Sequence, residues 1–184
     1  MEPVEINAGS YYLRQMRADD RLDDRPTLIE AFADPEMRHY VPQYTVATLE
    51  QAEGYIADRA EAWTSGRRCT WAIAEPTTGE LIGEVAVKNI DVDAATGEIA
   101  VWVHHEVRRN GVAATAVQAA LRFAAGALGL VQIDYVCDEG NAASAALARS
   151  CGFILAGPTE SLAGVPSLRW TYRSRPCRAS PPVR

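Results

Sequence analysis

The segment Val103-His-His-Glu-Val-Arg-Arg-Asn-Gly-Val-Ala-Ala-Thr-Ala116 joins an apolar strand to a helix through a short Arg/Gly turn. A helix start carries unpaired backbone N–H groups and a partial positive charge, so this junction can cradle a di- or triphosphate without a dedicated basic side chain. Gly111 and Ala113 keep the backbone uncovered. Arg108 and Arg109 can add charge-assisted contacts to phosphate or stand as a solvated basic turn. Downstream, Asn141 and Ser144 open a second helix one turn apart, where Asn141 can serve as N-cap and Ser144 can donate a hydrogen bond, relay a proton or simply pack. Glu84 and Glu98 each interrupt an otherwise apolar strand, which makes them candidate bases or ammonium anchors if they face a cleft, and ordinary solvated positions if they do not. Period two groups Glu98, Ala100, Trp102 and His104 on one face, with Ile99, Val101 and Val103 on the other. Glu84 shares a face with Ala86 and Lys88, a more exposed pattern, so Glu98 is the preferred base and Glu84 the second.

Composition narrows the function classes. The chain has 184 residues, 48% hydrophobic and 23% charged, enough for one well-buried core. A net charge of -6 argues against a general nucleic-acid binder. All four charged residues of 173–184 are arginines, so the body of the chain is more acidic still and could attract a cationic amine, or be acidic for solubility alone. No run approaches the roughly 18 apolar residues of a membrane span, and the Met1-Glu-Pro-Val-Glu start lacks a signal-peptide layout, so the expected location is the cytoplasm with no membrane partner. Cys69, Cys137, Cys151 and Cys177 are widely spaced and lack zinc-ligand neighbours. His104 and His105 point opposite ways in a regular strand and read as surface residues, so no metal is expected. Tyr40, Tyr44 and Trp63 can line an acceptor pocket or pack around helix ends.

The elements that must hold these residues follow from pattern. Tyr11–Met16 reads as a strand, 21–33 as a helix ended by Asp34-Pro35, and Thr48-Leu-Glu-Gln51 as a capping box for a helix through Thr64. Strands Thr70–Glu75, Glu80–Ile90 and Glu98–His104, separated by turns at 77–79 and 91–97, form an antiparallel meander. Then come a helix over Val112–Leu128 with Val117, Leu121 and Leu128 on one stripe, strand Gln132–Cys137, helix Asn141–Ser150, and strands Phe153–Ala156 and Leu168–Arg173. Residues 1–173 make one domain, and the Arg/Pro-rich 174–184 read as a frayed tail.

The turn Arg108-x-x-Gly111-x-Ala113 resembles the acyl-coenzyme A signature of the GNAT superfamily, Gln/Arg-x-x-Gly-x-Gly/Ala. Asn141, Leu147 and Gly152-Phe153 match that family's second motif in order and spacing. Tyr12-Leu-Arg14, Asp34-Pro-Glu-Met37, Val41-Pro42, Trp71-Ala-Ile73 and Leu81-Ile-Gly83 resemble its branch of ribosomal-protein N-terminal (RimJ/RimL-like) acetyltransferases. The resemblance implies an α/β (α+β) GNAT fold, with a mixed, mostly antiparallel sheet of about seven strands flanked by helices and splayed at strands four and five. It also implies transfer of acetyl from acetyl-CoA to a primary amine by direct attack in a ternary complex.

On that reading the backbone of Val101, Trp102 and Val103 pairs with pantetheine amides, and the N–H groups of Arg109, Asn110, Gly111, Val112, Ala113 and Ala114 meet the pyrophosphate. Val103 donates to the tetrahedral oxygen, and Asn141 contacts a pantetheine carbonyl, caps its helix, or does both. Many family members place a tyrosine acid seven residues after that Asn. Here Ala148 stands there, which leaves Ser144 to assist the thiolate. The acceptor expected is a peptide or protein N-terminal amine, with a small amine such as an antibiotic or polyamine as one alternative and a non-catalytic acyl-CoA sensor as another. Homodimers are common in the resembling family.

Overall fold

The structure is a computed structural model and describes residues 1–161 and 164–174. In chain order the elements are β1 (Ile6–Asn7), β2 (Tyr12–Arg14), β3 (Ala18–Asp19), β4 (Leu22–Asp23), α1 (Arg25–Ala33), α2 (Pro35–Tyr40), α3 (Leu49–Thr64), β5 (Arg68–Ala74), β6 (Leu81–Asp91), β7 (Thr96–Val103), α4 (Val112–Gly126), β8 (Gln132–Asp138), α5 (Ala142–Ser150), β9 (Ile154–Glu160) and β10 (Pro166–Arg173). A single 3₁₀ turn, His105–Val107, links β7 to α4. Eight strands form one sheet in the order β1-β2-β5-β6-β7-β8-β10-β9, and β3–β4 is a separate hairpin. The expected count of about seven omits β1, whose two residues are too few to show a period.

Every strand pair in the sheet is antiparallel except β7–β8. Alternation along β5 sends Trp71 and Ile73 into one apolar cluster with α4, and Ala72 into another with Leu28, Phe32, Ala52 and Tyr55 of α1 and α3. Helices therefore cover both faces. On α4 the small residues Ala116, Ala120 and Ala124 let the helix lie close to the sheet, while Val117 and Leu121 fill the space between. The helix ends at Gly126, so Leu128 packs from the following turn rather than from the helical stripe.

Two departures from the sequence pattern shape the helices α1 to α3. The helix expected from residue 21 starts at Arg25, because the Asp19 carboxylate accepts from the Arg21 and Leu22 N–H groups and holds a hairpin in place of a first turn. Asp34-Pro35 ends α1 as expected but also opens α2, with the Asp34 side chain capping Glu36 N and the proline in the position where a helix needs no N–H. On α3, Thr48 caps Gln51 N at 3.2 Å, and Gln51 Oε1 reaches back to Ala47 N at 2.8 Å, one residue before the usual capping-box partner.

Toward the C-terminus, β9 and β10 are longer than expected because they pair with each other from Ile154 to Glu160. Ser174 is tied to Val131 and Leu130, so the sheet's last contact lies one residue beyond the expected domain end. The rest of the expected tail, residues 175–184, lies outside the described residues.

Asp24 is the residue before α1 but does not cap it. Its carboxylate instead accepts two hydrogen bonds from the Arg14 guanidinium, at 2.7 and 2.8 Å, and one from Arg17 N, with Arg14 and Asp24 5% and 2% exposed. This pair pins α1 to β2. Removing one member leaves an unpaired buried charge, so Asp24→Ala should lower unfolding free energy by about 3–5 kcal/mol, read from the urea midpoint.

Candidate active site

β7 and β8 are in register for only four residues, Thr96–Ile99 against Gln132–Tyr135. Beyond that, β7 keeps β6 as its neighbour and β8 keeps β10, so Ala100–Val103 has no strand partner on its β8 side. Both strands lead at their C-terminal ends into helices, so the starts of α4 and α5 stand at the open end of the V. The splay expected at this place is present, and it leaves a strand edge able to pair with amide groups of a bound chain.

At the start of α4, Gly111 has φ 78° and Arg109 φ 65°, and no side chain caps the helix. A Cβ at Gly111 would meet nothing within 4 Å, so the approach to the first-turn N–H groups is open. Val112 is buried and fixes the turn to the core. An uncapped helix start facing open space, next to an unpaired strand edge, fits an elongated thioester carrying amides and a pyrophosphate. At α5, Asn141 Oδ1 accepts from Ser144 N at 2.9 Å. The capping role is real, and the amide nitrogen remains the end available to a ligand carbonyl.

The guanidinium of Arg108 is committed within the fold. It pairs with Asp34 and Glu36 at the start of α2, and its Nε donates to the Val103 carbonyl at 3.3 Å. Two carboxylates offer it more than a solvated turn does, and their placement depends on α2, which sequence pattern did not reveal. Arg108 thus braces the end of β7 against α2, while Arg109 beside it is exposed.

The two candidate carboxylates differ from their expected environments. Glu84 is 2% exposed, a correction to the exposed position read from Ala86 and Lys88. Its oxygens accept from Tyr55 Oη at 2.5 Å, Arg68 Nη2 at 2.6 Å and Trp102 Nε1 at 3.4 Å, with Arg59 Nε at 3.7 Å. Cross-strand register places Ala72, Glu84 and Trp102 in one row, and α3 covers that row with Tyr55. Burial, then the Glu84 carboxylate, pushes the Tyr55 phenol well up. Glu98 is bound by Lys88 Nζ and Asn89 Nδ2, each at 2.9 Å, and lies on a helix-free groove of about 210 Å³ with Asp134 and Arg169.

The histidines require a correction. His105 is exposed, but His104 is buried, its Nε2 has no hydrogen-bond partner, and Glu30 Oε1 of α1 is 3.8 Å away. Their ring centroids are 4.5 Å apart because β7 ends at Val103 and regular alternation ends with it. Among the described residues no group of side chains is arranged to hold a metal. Trp63 is wholly buried against Trp71 and Phe123, so it is core, while Tyr44 joins Phe32 and Tyr55 under the Arg59 guanidinium.

At the start of α5, Ser144 Oγ accepts from the Tyr135 hydroxyl at 3.3 Å. Ala148 is 1% exposed and supplies no hydroxyl. Cys69, Cys137 and Cys151 are buried free thiols, and burial pushes each up, Cys69 to about 11. They act as small apolar residues rather than nucleophiles. Cys177 lies outside the described residues.

Residues 12–154 match the family of the acetyltransferase (GNAT) domain, so the chain belongs to that family. It is an acetyl-CoA-dependent N-acetyltransferase. Among solved structures it is similar to ribosomal-protein-S5-alanine acetyltransferase from Vibrio fischeri, with 17% identity over 92% of this chain and 96% of that one and a TM-score of 0.77. It is also similar to RimL, a ribosomal L7/L12 alpha-N-protein acetyltransferase in complex with coenzyme A, with 20% identity over 90% and 94% and a TM-score of 0.75. A third is the microcin C7 self immunity acetyltransferase MccE in complex with acetyl-CoA and AMP, with 18% identity over 90% and 93% and a TM-score of 0.76. At these identities the likeness speaks for the fold. No curated protein sequence matches the chain. No helix among the described residues is long and apolar enough to cross a membrane.

Gly111→Asp places a side chain and a negative charge in the open approach to α4 and forces a non-glycine residue to φ 78°. Calorimetry should show coenzyme A affinity lowered at least about tenfold, since a carboxylate at the helix start opposes the pyrophosphate by roughly 1–2 kcal/mol. Unchanged affinity would remove the cradle assignment.

Proposed function

We propose that this enzyme acetylates the N-terminal α-amine of a peptide or protein. The observation that carries the reading is the state of its carboxylates: Glu84 and Glu98 already accept from Tyr55, Arg68, Lys88 and Asn89. Neither is free to strip a proton from a strongly basic amine. An α-amine, with a pKa of about 7.7–8.0, is partly neutral at pH 7, whereas a lysine amine at about 10.4 is neutral to less than roughly one part in a thousand. A site with little basic assistance therefore suits the α-amine. The ribosomal-protein relatives agree with it, and the helix-free groove over β7, β8 and β10 offers an extended chain a path along the sheet.

Each residue then has a defined task. The edge of Val101–Val103 and the start of α4 orient the thioester, and Val103 N–H stabilises the oxygen of the attacked carbonyl. As the C–N bond forms and the C–S bond breaks, the proton on nitrogen leaves to solvent. Ser144 donates to the departing sulfur. Glu98 and Asp134 in the groove contact the acceptor chain, and Glu84 holds the aromatic wall of Tyr55 and Trp102 in place.

A small-amine acceptor finds support in the fold shared with MccE. One assay separates the two acceptor classes: release of coenzyme A against free-N-terminus peptides, N-terminally blocked lysine peptides, polyamines and aminoglycosides. Free-N-terminus peptides should turn over at least about a hundredfold faster than blocked lysine peptides, following the neutral fractions. Preference for a polyamine or aminoglycoside would move the assignment to small amines.

A further inference from the structure

We infer that Tyr135 is a positioning residue for the leaving group: its buried phenol donates to Ser144 Oγ and so turns the serine proton toward the sulfur. This rests on the acetyl-transfer reading above and on Ser144 as the group that meets the thiolate. The position where many family members carry a tyrosine on the helix holds Ala148, and that side chain is buried. A phenol nevertheless reaches the first turn of the same helix, from β8 beneath it, with Tyr135 Oη 3.3 Å from Ser144 Oγ.

Three contacts fix the geometry. Tyr135 is the last residue of β8 paired with β7, opposite Ile99, and so stands at the vertex of the V. Its ring lies against Phe153, with centroids 5.7 Å apart, and it is 4% exposed. From the other side, Asn141 Oδ1 holds Ser144 N. A serine hydroxyl has one proton and two acceptor sites, so once the phenol fills one of those sites the serine proton must point elsewhere.

The physics separates positioning from proton supply. Burial pushes the Tyr135 phenol up to about 12, and forming a phenolate there would add a buried charge with no cation shown against it. Tyr135 therefore keeps its proton throughout. Attack by the amine nitrogen forms the C–N bond, the C–S bond breaks with its electron pair passing to sulfur, and Ser144 donates a hydrogen bond to that sulfur. The thiolate is protonated afterwards from solvent. No oxidant, reductant or net change at Tyr135 is involved.

Tyr135→Phe keeps the ring and its packing while deleting the donor. Its kcat on the preferred amine should fall about tenfold, with the KM for acetyl-CoA and the coenzyme A affinity unchanged. In a Ser144→Ala background the same substitution should cause no further loss, because the two act as one unit. A fall of equal size in that background, or an unchanged kcat in the single variant, would overturn the proposal. If Tyr135→Phe fails to fold, a fluorinated tyrosine at 135 retains the hydroxyl but ionises at lower pH. Its kcat should drop as pH rises through that lower value, since a phenolate cannot donate, while the wild type shows no such drop. A fluorinated enzyme that tracks the wild type across the range would also overturn the proposal. Wild-type turnover is measured in parallel. Its absence on every amine would fail the acetyl-transfer reading itself, whereas turnover that is unaffected at Tyr135 fails only this inference.

Discussion

The parting of β7 from β8 after four residue pairs is the constraint on which the rest depends. A sheet buries its main-chain groups by pairing them, so a strand left without a neighbour over Ala100–Val103 is costly unless something else satisfies it. The edge that β8 does not occupy can pair with the amides of a thioester arm, and the divergence leaves space between the starts of α4 and α5. Ile99 and Tyr135 mark the vertex, and both are buried, so the opening is hinged on packed core rather than on a loop.

Around that opening the polar groups divide by how firmly they are already held. Arg108, Glu84, Glu98 and Asp24 each have multiple partners within the chain, and their contribution is to fix walls. Among the described residues, the groups left with capacity at the opening include the first-turn N–H groups of α4, the amide nitrogen of Asn141 and the hydroxyl proton of Ser144. This division follows from the cost of burying charge, which is tolerable only where several hydrogen bonds offset it. Chemistry is left to neutral or main-chain groups, whose burial is less costly.

Arg108 shows how the two halves of the site are joined. It sits in the turn before α4 yet binds Asp34 and Glu36 of α2, and through Nε it also holds the Val103 carbonyl. The start of α2, the end of β7 and that turn are thereby linked by one planar guanidinium, a role that five donors in a fixed fork allow and a lysine could not reproduce. The aromatic group of Phe32, Tyr44, Tyr55 and Trp102 continues the same wall toward α3.

By itself the sequence determined the order of the meander strands and of α3 to α5, the Gly111 turn and the capping Asn141, because each rests on contacts within a few residues. Local rules of turn, cap and alternation also placed Ser144 at the helix start and identified Glu84 and Glu98 as the carboxylates within apolar strands. Tertiary structure alone decided which carboxylate was buried, since α3 covers Glu84 from a distance that strand alternation does not see. It likewise decided that Arg108 would be drawn to α2, that His104 would be enclosed once β7 ended, and that Tyr135 would reach Ser144. A residue's periodicity states which way it points, and only the packed fold states what it meets there.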